Sequence, residues 1–281
     1  RKNMNNNIDN LFSLSGKIVV ITGAVGLLGE KHAEAVAAYG GTPVLLDLSQ
    51  TAVDLLAEKL NKQYRVNAVG FSVDITDEDQ VRITSNDVCK KFGKVDGLVN
   101  NAANNPKVEA TSEKNFSRLE NFPLDMWEQD IAVGLTGSYL CTKYFGFQIS
   151  QNKDGGSIVN ISSDLGVMAP DQRLYEEEGV ERDQQNVKPV TYSVVKSGMI
   201  GLTKYIATYW ADKNVRCNAM CPGGIENGQP ENFLNKVHSR IPMNRLAQPN
   251  EYQGTLLWML SDASSYLNGA VISVDGGRTT W

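Results

Sequence analysis

The chain of 281 residues is poor in histidine and cysteine and has no surplus of positive charge. Its 27 lysines and arginines against 32 aspartates and glutamates give a formal net charge of −5. Such a balance argues against a nucleic-acid partner, because no basic excess is available to neutralise phosphates. The two histidines, His32 and His238, lie far apart in sequence, so we expect no histidine-rich metal site.

The four cysteines are Cys89, Cys141, Cys217 and Cys221. The last two fall in a segment that is typical of a strand, where four residues span roughly 13 Å, which is beyond the reach of a disulfide. We therefore expect all four to be reduced thiols, as in a cytoplasmic protein.

Long hydrophobic runs are also missing. The longest uncharged stretches, residues 18–29 and 131–142, are too short to span a bilayer. The N-terminal residues lack the apolar run of a signal peptide. We expect no membrane association, and we predict that residues 1–13 form a polar tail.

Short apolar runs alternate with longer amphipathic segments along the rest of the chain. This alternation predicts a single α/β domain over residues 14–281, with a Rossmann-type doubly wound parallel sheet of about seven strands and helices on both faces. Residues 171–188 interrupt the pattern with six acidic and three basic side chains. We interpret this segment as a polar insertion over the surface.

A glycine-rich segment, Thr-Gly-Ala-Val-Gly-Leu-Leu-Gly from Thr22 to Gly29, joins the first predicted strand to the first predicted helix. Glycine allows a tight turn and a close approach of backbone to a pyrophosphate. The helix that follows offers free N–H groups and a positive dipole end. We therefore predict a dinucleotide site at Gly23, Val25, Gly26, Leu27, Leu28 and Gly29.

Asp47 ends the second predicted strand, 24 residues after Gly23. A carboxylate at this position can accept hydrogen bonds from a ribose diol and would repel a 2′-phosphate. No lysine or arginine lies between Lys31 and Lys59 to neutralise such a phosphate. The pattern favours NAD over NADP.

Several short motifs follow one another in a fixed order. They are the three glycines already named, Asp74-Ile75, Asn100-Asn101-Ala102-Ala103, Ser162-Ser163, Tyr192-x-x-x-Lys196 and Pro222-Gly223-Gly224. This series resembles that of the short-chain dehydrogenase/reductase family in its compact, single-domain form, over about residues 14–277. The resemblance implies an oxidoreductase that interconverts a secondary alcohol and a ketone by hydride transfer with a nicotinamide cofactor.

The resemblance also implies roles for individual residues. Tyr192 would donate or accept the proton, Lys196 would be its partner, and Ser163 would hold the substrate oxygen. Tyr192 and Lys196 would also contact the cofactor. The other implied cofactor contacts are Asp74 and Ile75 at the adenine, Asn101, Ala102 and Ala103 on the adenosine side, and Pro222, Gly223, Gly224 and Ile225 at the nicotinamide.

The tyrosine and lysine make chemical sense at this spacing. An isolated tyrosine has a pKa of ~10 and an isolated lysine one of ~10.4. A spacing of four residues places both side chains on one face of a helix. A cation beside the phenol favours the phenolate, so we expect Lys196 to lower the pKa of Tyr192 toward a useful acid or base. Tyr139 and Lys143 share the spacing but lie in the middle of a long predicted helix, so we interpret them as packing and surface charge.

The chain departs from the family pattern at two places near the implied site. Gly134 stands where the family usually has an asparagine that helps to hold a water of the proton relay, which puts that relay in doubt. The glycine spacing is that of larger, extended members. The glycine spacing suggests, as one alternative, a sugar-modifying epimerase or dehydratase. Gly134 suggests, as another, a non-catalytic dinucleotide-binding sensor.

The insertion bears on the substrate because it follows Ser163 closely. Arg173, Arg182 and Lys188 could pair with a phosphate or carboxylate, and residues 224–240, which resemble the family's substrate loop, are also polar. We expect a small polar substrate, such as a sugar or a sugar phosphate.

Two further resemblances extend these expectations. The insertion, Gly134 and the C-terminal Asp-Gly-Gly-Arg-x-x-Trp resemble oxidoreductases of flagellin glycan modification. The predicted helices over 124–150 and 191–213 resemble those that form dimer and tetramer interfaces in the family, so we expect a homodimer or homotetramer.

Overall fold

The computed structural model describes residues 10–104 and 116–281, so residues 1–9 of the predicted tail lie outside the described residues. Within these ranges, seven parallel strands form one sheet in the order β3-β2-β1-β4-β5-β6-β7. This confirms the predicted fold class. The strands are β1 (Ile18–Thr22), β2 (Thr42–Asp47), β3 (Val69–Ser72), β4 (Gly97–Asn100), β5 (Gly156–Ile161), β6 (Val215–Pro222) and β7 (Val271–Val274).

Helices connect the strands across both faces of the sheet. They are α1 (Leu27–Ala38), α2 (Gln50–Tyr64), α3 (Glu78–Phe92), α4 (Leu124–Ile131), α5 (Gly137–Cys141), α6 (Phe147–Ser150), α7 (Val190–Tyr209), α8 (Glu231–His238) and α9 (Gln253–Leu260). The predicted capped start at Asp77 is present, since its side chain accepts a hydrogen bond from the N–H of Gln80, and Gly93 ends α3 in the left-handed region.

The predicted helix over residues 124–150 is one helical run with two π-helical turns, at Ala132–Thr136 and Thr142–Gly146. The sequence analysis did not predict α8 and α9. Each has only eight residues. The apolar residues of α9 follow one another without a helical period, and α8 buries a single side chain, so neither helix carries a clear periodic signal.

Two apolar cores enclose the sheet. Alternate residues of β1 point to opposite faces, with Val19 and Ile21 in the core under α1, α2 and α9, and Ile18 and Val20 in the core under α3, α5 and α7. Because both faces are covered, all five residues of β1 are buried. From β1 the strand order runs to β2 and β3 on one side and to β4 and the later strands on the other. The segments that follow β1 and β4 therefore leave toward opposite faces of the sheet, and the crevice between them suits a ligand.

A buried polar network connects the central strands of the sheet to the helices that pack on one face. Asn100 Nδ2 donates to Thr142 Oγ1 at 3.0 Å and to Asn160 Oδ1 at 2.8 Å. Asn160 Nδ2 in turn donates to Thr203 Oγ1 at 2.9 Å. The network therefore links β4 and β5 to α7, the helix that carries Tyr192 and Lys196.

The described helices include none that is both long enough and apolar enough to cross a membrane. The four cysteines are free thiols, as predicted, and three of them are buried.

The buried network predicts a stability difference between two asparagines. Asn160→Ala removes a fully buried side chain and leaves Thr203 and Asn100 with lost partners, so we expect the free energy of unfolding to fall by about 1–3 kcal/mol. The control Asn250→Ala, at an exposed position, is expected to change it by less than about 0.5 kcal/mol. Chemical denaturation measures both, and equal midpoints for the two variants would contradict the role of the network.

Candidate active site

The carboxyl ends of the central strands open into a cleft of about 690 Å³. The cleft contains most of the cofactor contacts that the sequence analysis predicted. Those that line it are Gly23, Val25, Gly26, Leu27, Leu28, Asp47, Asp74, Ile75, Asn101, Ala102, Ala103, Tyr192, Lys196, Pro222, Gly223 and Ile225.

The glycine loop is tight enough to bring backbone to the floor of this cleft. Gly23 has a φ of +60°, and a Cβ there would lie 2.9 Å from Ala102 Cα. Gly29, the last glycine of the loop, is not among the residues that line the cleft. An added Cβ at Gly29 would overlap the carbonyl oxygen of Gly23, so this glycine allows α1 to pack against the loop.

Side chains from neighbouring strands hold the loop in place. Asn101 Nδ2 donates to the carbonyl oxygens of Thr22 and Gly23 at 3.0 and 3.1 Å, and Thr22 Oγ1 accepts from the backbone N–H of Asn101 and Ala102. Asp47 Oδ2 accepts from the N–H of Val25 at 3.1 Å. Thr22, to which the sequence analysis gave no role, thus supports the loop.

The cleft lining also contains residues that the sequence analysis did not predict. Gly224, which packs against Leu246, and Ser163 are not among the lining residues, whereas Ser162, the neighbour of Ser163, is one of them. No sequence motif pointed to the residues of α4 and its π-helical turn, because they come from a helix far along the chain from the strand ends. The lining residues that were not predicted are Leu46, Leu48, Val73, Thr76, Asn104, Gln129, Ala132, Val133, Ile161 and Ser162.

Tyr192 and Lys196 project from one face near the start of α7. The Lys196 ammonium donates to the carbonyl oxygen of Ile161 at 3.0 Å and lies 5.8 Å from the centre of the Tyr192 ring. Ser162 Oγ donates to the carbonyl oxygen of Lys196 at 2.6 Å, so α7 is joined to the end of β5 through both its backbone and its side chain. Burial lowers the pKa of Lys196 to about 8.

The pKa of Tyr192 shifts opposite to the direction that the sequence analysis expected. Burial is the largest cause and raises the pKa, the nearby Asp164 carboxylate adds to the rise, and a hydrogen bond with Ser163 and the charge of Arg278 oppose it. Lys196 does not reverse the shift because its ammonium is directed to the Ile161 carbonyl. Tyr192 is thus held as a neutral phenol.

A buried ion pair lies directly beside the candidate catalytic residues. Arg278 Nη1 lies 2.8 Å from Asp164 Oδ2, and the two side chains are only 8% and 4% exposed. Ser163 Oγ donates to the other oxygen of Asp164 at 2.7 Å. The sequence analysis quoted Arg278 only as part of the C-terminal motif and gave neither charged residue a role, because 114 positions separate them and neither belongs to a motif of the cleft.

The second tyrosine–lysine pair is away from the site, as predicted. Lys143 Nζ lies 2.6 Å from Glu78 Oε1, and half of the Tyr139 side chain is exposed. Neither residue lines the cleft.

Gly134 faces α7 inside the molecule. A Cβ at this position would lie 2.5 Å from Val195 Cγ1, so Val195 occupies the space that a larger side chain would need. One turn earlier, the buried Asp130 Oδ2 accepts from Thr191 Oγ1 at 2.5 Å. Both residues line a cavity of about 20 Å³ beside Lys196.

The insertion makes apolar contacts that its polar composition did not indicate. Leu174 is buried in a small apolar cluster with Val237, Ile241 and Leu246, and Tyr175 packs near Phe233 of α8. Besides its many exposed polar side chains, the segment thus has a few apolar ones that anchor it to α8.

An ion pair reinforces the same contact. Asp171 Oδ2 lies 2.5 Å from Arg240 Nε, and Asp171 Oδ1 lies 2.8 Å from Arg173 Nε. The hydrogen bonds from both arginines hold the pKa of Asp171 well below its usual range, so this carboxylate stays charged at neutral pH. Apolar and ionic contacts thus join the insertion to α8 and to the residues that follow it.

Comparison with known proteins agrees with this geometry. A family model described as Enoyl-(Acyl carrier protein) reductase matches residues 23–279. The 3-oxoacyl-(acyl-carrier-protein) reductase FabG of Aquifex aeolicus is 31% identical over 94% of this chain and 98% of its own. The NADP-dependent mannitol dehydrogenase of Alternaria alternata is 31% identical over 96% of this chain and 95% of its own.

The fold is likewise shared with solved structures. The crystal structure of NAD⁺-bound xylitol dehydrogenase superposes with a TM-score of 0.81 at 26% identity, over 94% of this chain and 99% of that one. The chain belongs to the short-chain dehydrogenase/reductase family. It is an NAD(P)-dependent oxidoreductase that acts on CH–OH or ketone groups.

The packing at Gly134 predicts a paired effect on stability. Gly134→Asn places a side chain against Val195, so we expect it to lower the free energy of unfolding by about 1–3 kcal/mol through overpacking. Val195→Ala in the same chain opens that space and is expected to restore part of the loss. Thermal unfolding of the single and double variants measures the coupling, and strictly additive changes would contradict direct contact between the two positions.

Proposed function

We propose that the protein is an NAD(H)-dependent oxidoreductase that interconverts a secondary alcohol and a ketone on a small polar, sugar-like substrate. The observation that carries this proposal is that Tyr192 and Lys196 line one cleft together with the glycine loop and Asp47, and that Ser163 is within hydrogen-bonding reach of Tyr192. A dinucleotide fits this cleft because the close approach of Gly23 to Ala102 leaves bare backbone on its floor.

In this proposal the residues divide the proton chemistry among them. A bound nicotinamide would supply a hydride to the carbonyl carbon in reduction, or accept one from the alcohol carbon in oxidation. The neutral Tyr192 hydroxyl gives its proton to the carbonyl oxygen as that oxygen becomes an alcohol. The Ser163 hydroxyl, once its hydrogen bond turns from Asp164 to the substrate, stabilises the charge that develops on the same oxygen.

The lysine and the ion pair act on Tyr192 rather than on the substrate carbon. The Lys196 ammonium stays near the phenol ring and stabilises a phenolate after proton transfer. Arg278 neutralises Asp164, whose uncompensated charge would oppose that phenolate. The raised pKa of Tyr192 keeps its hydroxyl protonated at neutral pH, which is the form that can donate a proton.

The preference for NAD rests on the adenosine end of the cleft. Asp47 lies at the end of β2, where a 2′-phosphate would approach its carboxylate. The basic residue among the described cleft lining is Lys196, which extends from α7 and not from this end. Relatives that use either cofactor are known, such as the NADP-dependent mannitol dehydrogenase, so Asp47 is the residue that supports the choice.

The polar character of the substrate is supported by the charged groups around Tyr192 and by the polar insertion, whose last residue, Lys188, lies over the Tyr192 ring. The similarity to mannitol and xylitol dehydrogenases supports a polyol-like substrate. A cytoplasmic homodimer or homotetramer and membership of the flagellin glycan subgroup remain predictions of the sequence analysis. The sensor and the epimerase or dehydratase remain as alternatives that the following experiments separate from the proposal.

The proposed acid–base role predicts the behaviour of Tyr192→Phe. We expect the variant to bind NADH as the wild type does and to lose at least about 10²-fold in kcat, because the proton donor is removed. Turnover is measured by NADH absorbance on a panel of polyols, sugars, sugar acids and sugar phosphates, with steroid and acyl ketones as controls. Full activity in the variant would overturn the assignment, and silence of the wild type across the panel with tight NADH binding would favour the sensor.

The proposed role of Asp47 predicts a change in cofactor choice. Asp47→Ser removes the charge that would face a 2′-phosphate, so the ratio of kcat/KM for NAD to that for NADP should fall by about tenfold, or ~1.4 kcal/mol. Asp54→Ser, which removes a carboxylate from α2 outside this cleft, serves as the control and should leave the ratio unchanged. An equal ratio in the wild type and Asp47→Ser would remove Asp47 from cofactor selection.

A further inference from the structure

Lys188, the last residue of the insertion, lines the cavity of about 20 Å³ that Tyr192 and Lys196 also line. Its backbone N–H donates to Gln172 Oε1 at 2.8 Å, and the next residue, Pro189, is the N-cap of α7. The Lys188 ammonium lies 3.9 Å from the centre of the Tyr192 ring. The backbone is therefore fixed on both sides, and the charge is placed over the ring of the proposed proton donor.

This cation has no carboxylate partner within ion-pair distance among residues 10–104 and 116–281. The two nearby buried carboxylates are already engaged, Asp164 by Arg278 and Ser163, and Asp130 by Thr191. Burial lowers the pKa of Lys188 to about 8, with Asp164 too distant to reverse the shift, so most of the side chain is still charged at pH 7. A partly buried ammonium without a counter-charge is costly unless a ligand supplies one.

The end of α7 adds to the positive potential at the same place. The helix is 20 residues long, has no acidic residue in its first turn and has no side-chain cap at its N-terminus. The positive end of its dipole therefore points toward the region that Lys188 enters. The Asp130 carboxylate accepts from Thr191 in this first turn, but Lys188 and Lys196 line the same cavity, so its described lining carries two ammonium groups against one carboxylate beside Tyr192.

The other cations of this region are committed or remote. Arg173 pairs with Asp171 and is mostly exposed, and Arg278 pairs with Asp164 inside the molecule. Arg182 belongs to an exposed turn of the insertion. The sequence analysis treated Arg173, Arg182 and Lys188 as equivalent, and the structure separates them by what each one contacts.

We propose that Lys188 and the N-terminus of α7 bind an anionic group of the substrate, a carboxylate or a phosphate. The inference rests on the proposed function and names its substrate class: a hydroxy acid, keto acid or sugar phosphate in preference to a neutral polyol. Because the ammonium lies over the Tyr192 ring, the anionic group stands close to the carbon that gains or loses hydride.

Binding titrations test the inference without relying on turnover. Gluconate, sorbitol 6-phosphate and neutral sorbitol are titrated by calorimetry into protein saturated with NADH, which prevents oxidation of these alcohols. We expect one of the two anions to bind the wild type about ten- to a hundredfold more tightly than sorbitol, the range expected of a hydrogen bond to a charged group. The anion that binds more tightly identifies carboxylate or phosphate as the recognised group.

Matched variants assign the preference to one side chain. In Lys188→Gln the ratio of anion to sorbitol affinity is expected to approach one, and in Lys188→Arg it is expected to be retained. Arg182→Gln removes the same charge from an exposed position of the insertion and should leave the ratio at its wild-type value. Comparing the ratio within each variant cancels any general effect of the substitution on the cleft.

Two results of the binding titrations overturn the inference. One is a wild type that binds sorbitol as tightly as both anions, which needs no variant to fold, and the other is a Lys188→Gln protein that keeps the wild-type ratio. Tyr192-dependent turnover of neutral alcohols with no preference for anions would leave the proposed function in place and overturn the anion site. Lys188-dependent anion binding without turnover of any alcohol or ketone would support the anion site and overturn the proposed function.

Discussion

The contact between α7 and the end of β5 is the constraint on which the candidate site depends. Lys196 is bonded through its ammonium to the carbonyl of Ile161 and through its own carbonyl to Ser162 Oγ. The buried Asn160 extends the same connection deeper, to Thr203 in the middle of the helix. Because these bonds are buried, the helix cannot shift along the strand without leaving polar groups unpaired, so Tyr192 is presented to the cleft at one position.

The charged groups around Tyr192 differ in their partners. Asp164 is neutralised by Arg278 from the far end of the chain, and Lys196 is directed to a backbone carbonyl. Lys188 is left as the cation whose partner is not a carboxylate of the described chain. The balance keeps Tyr192 as a phenol while it leaves net positive charge where substrate oxygens would lie, which is a combination suited to proton donation toward an anionic carbonyl compound.

The insertion contributes to the site because it is anchored. Leu174 packs into the apolar cluster with Val237 of α8, and Asp171 pairs with Arg240, two residues past the end of that helix. These contacts join two polar segments of the chain. The last residue of the insertion, Lys188, is bonded directly to Pro189, the N-cap of the helix that carries Tyr192 and Lys196.

The sequence by itself determined the class of fold and the edge of the sheet where the site lies. Apolar runs long enough for one strand, separated by helical segments, can be buried only in a parallel sheet covered on both faces, and the motifs at the strand ends then meet at one edge. It also located the glycine loop, Asp47 and the tyrosine–lysine pair, because their signals are local in the chain.

Only the tertiary structure decided the remaining features. Packing over long sequence separations brought Arg278 to Asp164, filled the space beside Gly134 with Val195, and left Lys188 without a carboxylate while it paired Arg173 with Asp171. It also set the direction of the pKa shift of Tyr192, since burial and distant charges outweigh the neighbouring lysine. Such effects depend on which side chains meet in space, and residue order alone carries no signal for them.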